Sequence, residues 1–183
     1  MKIVNDLYDE IQLEVAAGYI KRQNYGVLGH YNYTREAQEA KHWSRAVRSC
    51  RGLILNESNR DYVCKPFIKF FNHEETISSS IPFGMRHETS LKMDGVLGIT
   101  WFFDGEQRWS TRHGIETPKS LVAKSIWDEK YSHVKLPHNL NLMFEVIHPE
   151  TKILIKYAYT DLVCIGITDR DTNKDYTYTE VQE

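Results

Sequence analysis

Lys92-Met93-Asp94-Gly95-Val96-Leu97-Gly98-Ile99-Thr100-Trp101-Phe102-Phe103 runs into Asp104-Gly105 and then into Glu106-Gln107-Arg108-Trp109-Ser110-Thr111-Arg112. Residues 95–103 and 107–112 are apolar, β-branched and aromatic in character, and the Asp-Gly pair between them is a strong two-residue hairpin signal. The stretch therefore reads as an antiparallel hairpin preceded by a lysine-bearing tetrapeptide.

The chain on either side continues in the same style. Downstream, Thr117-Pro118 has the chemistry of an N-cap followed by proline at the first helical position, opening a helix that carries Leu121, Val122, Ile126 and Trp127. Residues 141–147, 153–157 and 162–168 read as three more strands. Upstream, residues 51–55 form a short apolar run, 56–60 have turn composition, 62–71 read as a strand interrupted at Pro66, and 78–84 as a loop. Residues 2–17 place Ile3, Val4, Leu7, Ile11 and Val15 at near-helical spacing, with Gly18 as the stop. A Tyr-rich, Gly-punctuated segment covers 19–33, and residues 35–47, free of Gly and Pro, predict a second helix. Many strands, few helices and short turns imply an α+β fold built on antiparallel sheets. No repeat, low-complexity tract or linker divides it, so residues 1–183 read as one domain.

Composition narrows the function classes. With 41% apolar and 26% charged residues the chain is an ordinary globular sequence. No stretch approaches the roughly 18 apolar residues of a membrane span, and the N-terminus lacks the pattern of a signal sequence, so cytoplasmic residence is expected. Cys50, Cys64 and Cys164 are odd in number and scattered, which predicts reduced, partly buried thiols rather than a disulfide framework or a zinc site. Net charge is −2, which excludes a global basic field; any nucleic-acid contact must be local. Arg35, Lys41, His42, Arg45, Arg48 and Arg51 form one such run, diluted by Glu36 and Glu39, and a solvated helix face explains it equally well. The eight histidines show no HxH or HExxH spacing; His73 and His113 follow motif residues and are the two that could reach phosphate. Trp109 reads either as an adenine-stacking ring or as a core residue.

Four separated features carry chemistry: Cys50-Arg51-Gly52, Lys69-Phe70-Phe71-Asn72, Lys92-Met93-Asp94-Gly95 and Phe144-Glu145. Glu145 stands alone in an apolar strand, and a buried carboxylate is costly without a partner. It either pairs with a cation, lines a cleft, or faces water at a sheet edge. A lysine amine has a reference pKa of about 10.4 and is protonated at neutral pH. Cations such as Arg51, Lys69, Arg112 and a divalent metal would favour its free-base form and neutralise phosphate charge. Gly95 would let the backbone approach a nucleotide closely, and Asp94 would shape the turn.

In this order and spacing the set resembles the covalent nucleotidyltransferases, the superfamily of ligases and mRNA capping enzymes. It is most similar to the RNA ligase family typified by T4 RNA ligase 1. The features that carry the resemblance are Tyr31-Asn32-Tyr33, Trp43, Cys50-Arg51-Gly52, Lys69-Phe70-Phe71-Asn72, Lys92-Met93-Asp94-Gly95, Ser110-Thr111-Arg112 and Phe144-Glu145, from Tyr31 to about Ile155. The resemblance implies an antiparallel-sheet nucleotidyltransferase core of the ATP-grasp-like ligase type. It implies that Lys92 attacks ATP to form lysyl-AMP, with AMP passing to an RNA 5′-phosphate before a 3′-hydroxyl seals the strand. By the same resemblance Tyr31, Arg51, Lys69, Phe71, Gly95 and Arg112 would bind the nucleotide, and Glu145 would hold its ribose or a metal, Mg²⁺ or Mn²⁺. Phe71 could equally be a core residue, and Arg112 stands where the family has a lysine, so its geometry differs.

The family's later pair of triphosphate-gripping lysines has no match, since after Ile155 only Lys156 and Lys174 remain, among Asp161, Asp169, Asp171 and Asp175. The core is thus expected to be incomplete, lacking the C-terminal part with the last lysine motif, which a missing region or second polypeptide would supply. A non-catalytic nucleotide- or RNA-binding remnant, and a DNA ligase or capping-type transferase, are the competing readings. Broken tRNA is the substrate the resemblance implies.

Overall fold

The computed structural model describes residues 5–72, 75, 84 and 89–182. His73 and most of the expected 78–84 loop lie outside the described residues, as do residues 2–4 of the expected first helix.

The fold is layered. Helix α1 (Asn5–Ala16) ends where Gly18 takes a positive φ of 84°. The Tyr-rich segment that follows is a hairpin, β1 (Ile20–Tyr25) and β2 (Leu28–Tyr33), turning at Gly26. The single helix expected over 35–47 is two: α2 (Arg35–Glu39), capped by Thr34, and α3 (Arg45–Ser49), capped by Ser44. Lys41 at φ 52° breaks the run, and the restart is anchored when His42 and Ser44 bond the Glu14 carboxylate at 2.9 and 2.6 Å. Strands β3 (Arg51–Asn56) and β4 (Asp61–Cys64) complete an antiparallel sheet of order β1-β2-β3-β4.

The second sheet has the order β10-β9-β8-β5-β6-β7. The Asp104-Gly105 hairpin forms as expected between β5 (Val96–Phe103) and β6 (Glu106–Thr111), followed by the short β7 (Gly114–Ile115). Helix α4 (Pro118–Lys130) starts where the Thr117 hydroxyl accepts the Ser120 N–H at 3.3 Å. Then come β8 (Leu140–Ile147), β9 (Asp161–Asp169), the short β10 (Lys174–Asp175) and α5 (Tyr178–Gln182).

Two expected strands differ. The 62–71 strand stops at Cys64, because Pro66 cannot donate to a ladder, and residues 65–72 run irregularly. Residues 153–157 form no strand despite their β-branched composition, and Ile153, Leu154 and Ile155 are exposed.

Alternation along the strands sorts the core into three layers. Tyr31, Tyr33, Leu53 and Leu55 face α1 and α3; Leu28, Ile54 and Cys64 face Ile99, Trp101, Ile115 and Met143 across the gap between the sheets. On the far side of the second sheet, Trp109, Leu142, Phe144 and Val146 pack on Ala123, Ile126 and Trp127 of α4. Trp109 is thus a core residue: its ring centroid lies 5.9 Å from those of Trp127 and Phe144. Cys50 and Cys64 are buried and Cys164 half-buried, all three free, as expected. No helix among the described residues is long and apolar enough to cross a membrane.

One polar contact pins the two sheets in register. His30, 1% exposed, donates from Nε2 to the Thr111 carbonyl at 3.1 Å. Burial lowers its pKa from 6.5 to about 4, so the ring is neutral at physiological pH. A histidine with a depressed folded-state pKa contributes stability that is complete above pH 6.5 and is lost as pH falls towards 4. We expect urea denaturation to show a loss on the order of 3 kcal/mol across that window, and His30→Asn to remove that pH-dependent component. An unchanged pH slope in the variant would count against the assignment.

Candidate functional site

A cleft of about 880 Å³ opens where one end of the inter-sheet gap meets the irregular strap that leads into β5. Its polar lining comes from Arg51 of β3, Lys92 of the strap, Glu145 of β8, and Thr111, Arg112 and His113 at the turn after β6. Phe67, Phe70, Leu97, Ile153 and Ile165 form apolar walls, and Thr117, Pro118 and Lys119 close it at the start of α4.

Strand parity explains how a carboxylate comes to be here. Met143 and Glu145 share a face of β8, so Glu145 points into the gap whose floor is the inter-sheet core. Its Oε1 accepts the Gly95 N–H at 2.8 Å, which leaves Oε2 for a ligand. Burial pushes the Glu145 carboxyl above the usual carboxylate range, while the Gly95 N–H, Lys92 and Arg51 pull it back. Of the readings the sequence left open, the cleft-lining one is correct.

Two glycines are required by close approach. A Cβ on Gly95 would sit 2.4 Å from the Val146 carbonyl oxygen, so a glycine is needed here for the close approach to β8, and the same residue lines the cleft. Gly52 holds φ at 92°, and a Cβ there would lie 3.0 Å from the Arg112 Cα. The glycine beside Arg51 is therefore what lets the two sheets bring Arg51 and Arg112 together.

Arg112 is held by donating to the Tyr33 hydroxyl at 2.7 Å and to His113 Nε2 at 3.0 Å. Arg51 lies with its guanidinium 5.3 Å from the Phe70 ring centroid, and burial lowers its pKa. Asp94 acts at a distance rather than in its own turn. Its Oδ2 accepts the N–H groups of both Leu154 and Ile155 at 2.7 Å, and its own N–H donates to the Tyr157 hydroxyl at 3.0 Å. Those bonds take up amides that a strand over 153–157 would have used, and they tie the Lys92 strap to the segment after β8.

Lys92, Gly95, Arg51, Arg112 and Glu145 therefore converge on one cleft, and Tyr31, Lys69 and Phe71 are not among its lining residues. Tyr31 is wholly buried on the helix side of the first sheet, donating to Glu57 Oε1 and accepting from Gln12 at 3.3 Å. Lys69 lies over the Phe71 and Trp43 rings, at 4.2 and 5.3 Å, and its backbone N–H bonds the Arg48 carbonyl at 2.7 Å. Phe71 packs edge-on against Trp43 at 5.4 Å. The neighbouring Phe70, 61% exposed, faces the cleft instead. Sequence reading passed over Phe70, the apolar walls and the Thr117-Pro118-Lys119 rim; only the position of Phe70 inside its motif could have signalled any of them.

Among the described residues no three His, Cys, Asp or Glu side chains converge to hold a metal, and Glu145 is the one carboxylate lining the cleft. That donor set fits a divalent ion carried on nucleotide phosphates, not a resident metal centre.

Comparison with known proteins points in one direction. The model of an RNA ligase family matches residues 49–183. RNA ligase 1 of bacteriophage TS2126 is 26% identical over 125 residues, covering 61% of this chain and 32% of its own length. A putative RNA ligase of Thermovibrio ammonificans is 26% identical over 133 residues, 68% of this chain and 35% of its own. The chain thus spans about a third of these relatives. An archaeal ATP-dependent RNA ligase shares the fold with a TM-score of 0.58 at 16% identity, over 99% of this chain and 50% of that one.

The Asp94 tie makes a specific prediction. Its carboxyl is held below the usual range by the Ile155 and Leu154 N–H groups, so the tie is present at neutral pH and is lost as pH falls through that depressed value. Hydrogen exchange is expected to find the Leu154 and Ile155 amides slowed at neutral pH in the native protein and unprotected in Asp94→Ala. Equal exchange in the two proteins would refute it.

Proposed function

The chain belongs to the RNA ligase family, and from that premise we propose that it is the adenylylation domain of an ATP-dependent RNA ligase, with Lys92 as the nucleophile. The observation that carries this reading is the convergence of Lys92, Arg51, Arg112 and Glu145 on one cleft with apolar walls. Phe67, Phe70 and Ile153 offer a flat adenine ring an apolar seat, and Arg51 and Arg112 offer cations for the phosphates.

The Lys92 amine attacks the α-phosphorus of ATP, a P–N bond forms, and pyrophosphate leaves. An oxygen of an RNA 5′-phosphate then attacks the same phosphorus, a P–O bond forms, and the amine departs with a proton taken from water. A 3′-hydroxyl next displaces AMP and seals the strand. A divalent ion, Mg²⁺ or Mn²⁺, would reach the cleft on the nucleotide, with Glu145 as the available protein oxygen, and neutralise phosphate charge while bound. RNA with 5′-phosphate and 3′-hydroxyl ends, broken tRNA among the possibilities, is the substrate class, and the cytoplasm is the compartment that goes with it.

One observation favours a second reading, a nucleotide- or RNA-binding module without catalysis. Neither Lys156 nor Lys174 lines the cleft, and Lys174 pairs with Glu180 at 2.5 Å, so no late lysine pair among the described residues grips a triphosphate.

Incubation with Mg²⁺ and ATP labelled at the α-phosphate decides between them. Acid-stable label on the protein is expected, absent from Lys92→Ala and reduced by about 10²-fold in Arg51→Ala, the scale of one lost charge-stabilising donor. No label at any pH would leave the binding module; label from GTP instead of ATP would turn the assignment towards capping chemistry.

A further inference from the structure

The turn after β6 is a partition between two concavities. Arg112 and His113 line the Lys92 cleft on one side, and on the other a groove of about 700 Å³. Lys119 stands on the cleft side of this partition and Lys21, from the edge strand β1, on the groove side. All three cations, Arg112, Lys119 and Lys21, act electrostatically on His113, adding to the burial that holds its pKa below the usual value.

Nine of the described lysines and arginines pair with a carboxylate, and Lys21, Arg112 and Lys119 are not among them. Among the described residues neither Lys21 nor Lys119 pairs with a carboxylate, and Arg112 spends its hydrogen bonds on Tyr33 and His113. His113 accepts from Arg112 through Nε2, which fixes Nδ1 as its N–H donor. The groove beyond is polar, walled by Asn32, Thr34 and Gln38, with Arg35 neutralised by Glu39 at 2.7 Å and Glu36 as its other carboxylate.

Three uncompensated cations around a neutral imidazole are a seat for a phosphate dianion. We propose that Lys21, His113 and Lys119 hold the 5′-terminal phosphate of the RNA that accepts AMP, with the following nucleotides running along the groove. The assignment rests on the ligase reading above, which requires that phosphate to stand beside the Lys92 cleft. The groove favours RNA over the tail of ATP: it leads away from the cleft from a wall the two share, and its polar lining suits a continuing sugar–phosphate chain.

Fluorescence anisotropy with one short RNA, prepared with either a 5′-phosphate or a 5′-hydroxyl, tests the proposal on the full chain. The native protein is expected to prefer the phosphorylated end by about tenfold, the size of one charge-assisted contact. The double variant Lys21→Ala/Lys119→Ala is expected to abolish that preference at an unchanged thermal midpoint. The single Lys21→Gln, at an exposed position of the edge strand, gives the same reading should the double variant fold poorly. A native protein with no preference, or a variant that keeps it, overturns the proposal. So does a variant that keeps the RNA preference but needs more ATP for lysyl-AMP formation, which would give the cluster to the triphosphate. A native protein that prefers the phosphorylated end yet takes no label from ATP retires the ligase reading and leaves the phosphate seat standing.

Discussion

The approach of β3 to the end of β6 governs the rest of the molecule. At Gly52 the backbone passes so near Arg112 that a Cβ would lie 3.0 Å from its Cα, and in the same gap His30 donates to Thr111. Both contacts join the two sheets, and every polar residue of the cleft depends on that junction. Arg51 comes from one sheet; Glu145, Thr111 and Arg112 come from the other. Were the sheets a few ångströms further apart, Arg51 would leave the cleft and Glu145 would lose one of the groups that offset its burial.

Glu145 shows how one residue can be both a structural expense and a functional asset. Its parity on β8 sends it inward, burial raises its pKa, and the compensation comes from the strap that carries Lys92. The Gly95 amide therefore fixes the position of the carboxylate and the course of the chain three residues past the lysine. Asp94 fixes the same strap from its other face through Leu154 and Ile155. Lys92 is exposed and lies in no strand, yet the backbone just beyond it is held on two sides.

Much of this was legible in the residues because local chemistry decided it. Asp104-Gly105 made its hairpin and Thr117-Pro118 began its helix, since both signals act within a few residues. Arg51, Lys92, Arg112 and Glu145, recognised as a set through their resemblance to RNA ligases, do share a cleft. What failed was decided by distant partners. Ile153-Leu154-Ile155 has strand composition, but strand formation needs a neighbour and Asp94 took the amides instead. After Pro66 the chain is irregular, so alternation could not say whether Phe70 or Phe71 faced the cleft, and the structure turns Phe70 to it. Tyr31 matched a family position by sequence, yet its place in the β1–β2–β3 register buries it beneath α1. His30 carried no signal at all, since nothing near it in sequence reveals the Thr111 carbonyl.

The junction of the sheets also has a consequence for how the protein comes into being. Arg51, Lys92, Arg112 and Glu145 are far apart along the chain, and only the closed pair of sheets brings them to one place. Contacts of such long sequence separation form late and slowly, after local hairpins and helices have already appeared. A chain caught with either sheet alone would hold an incomplete set of the charges and no cleft. Ligand binding at this site is thus available only to the finished molecule, and by mass action any nucleotide that binds there draws the last step of folding towards completion.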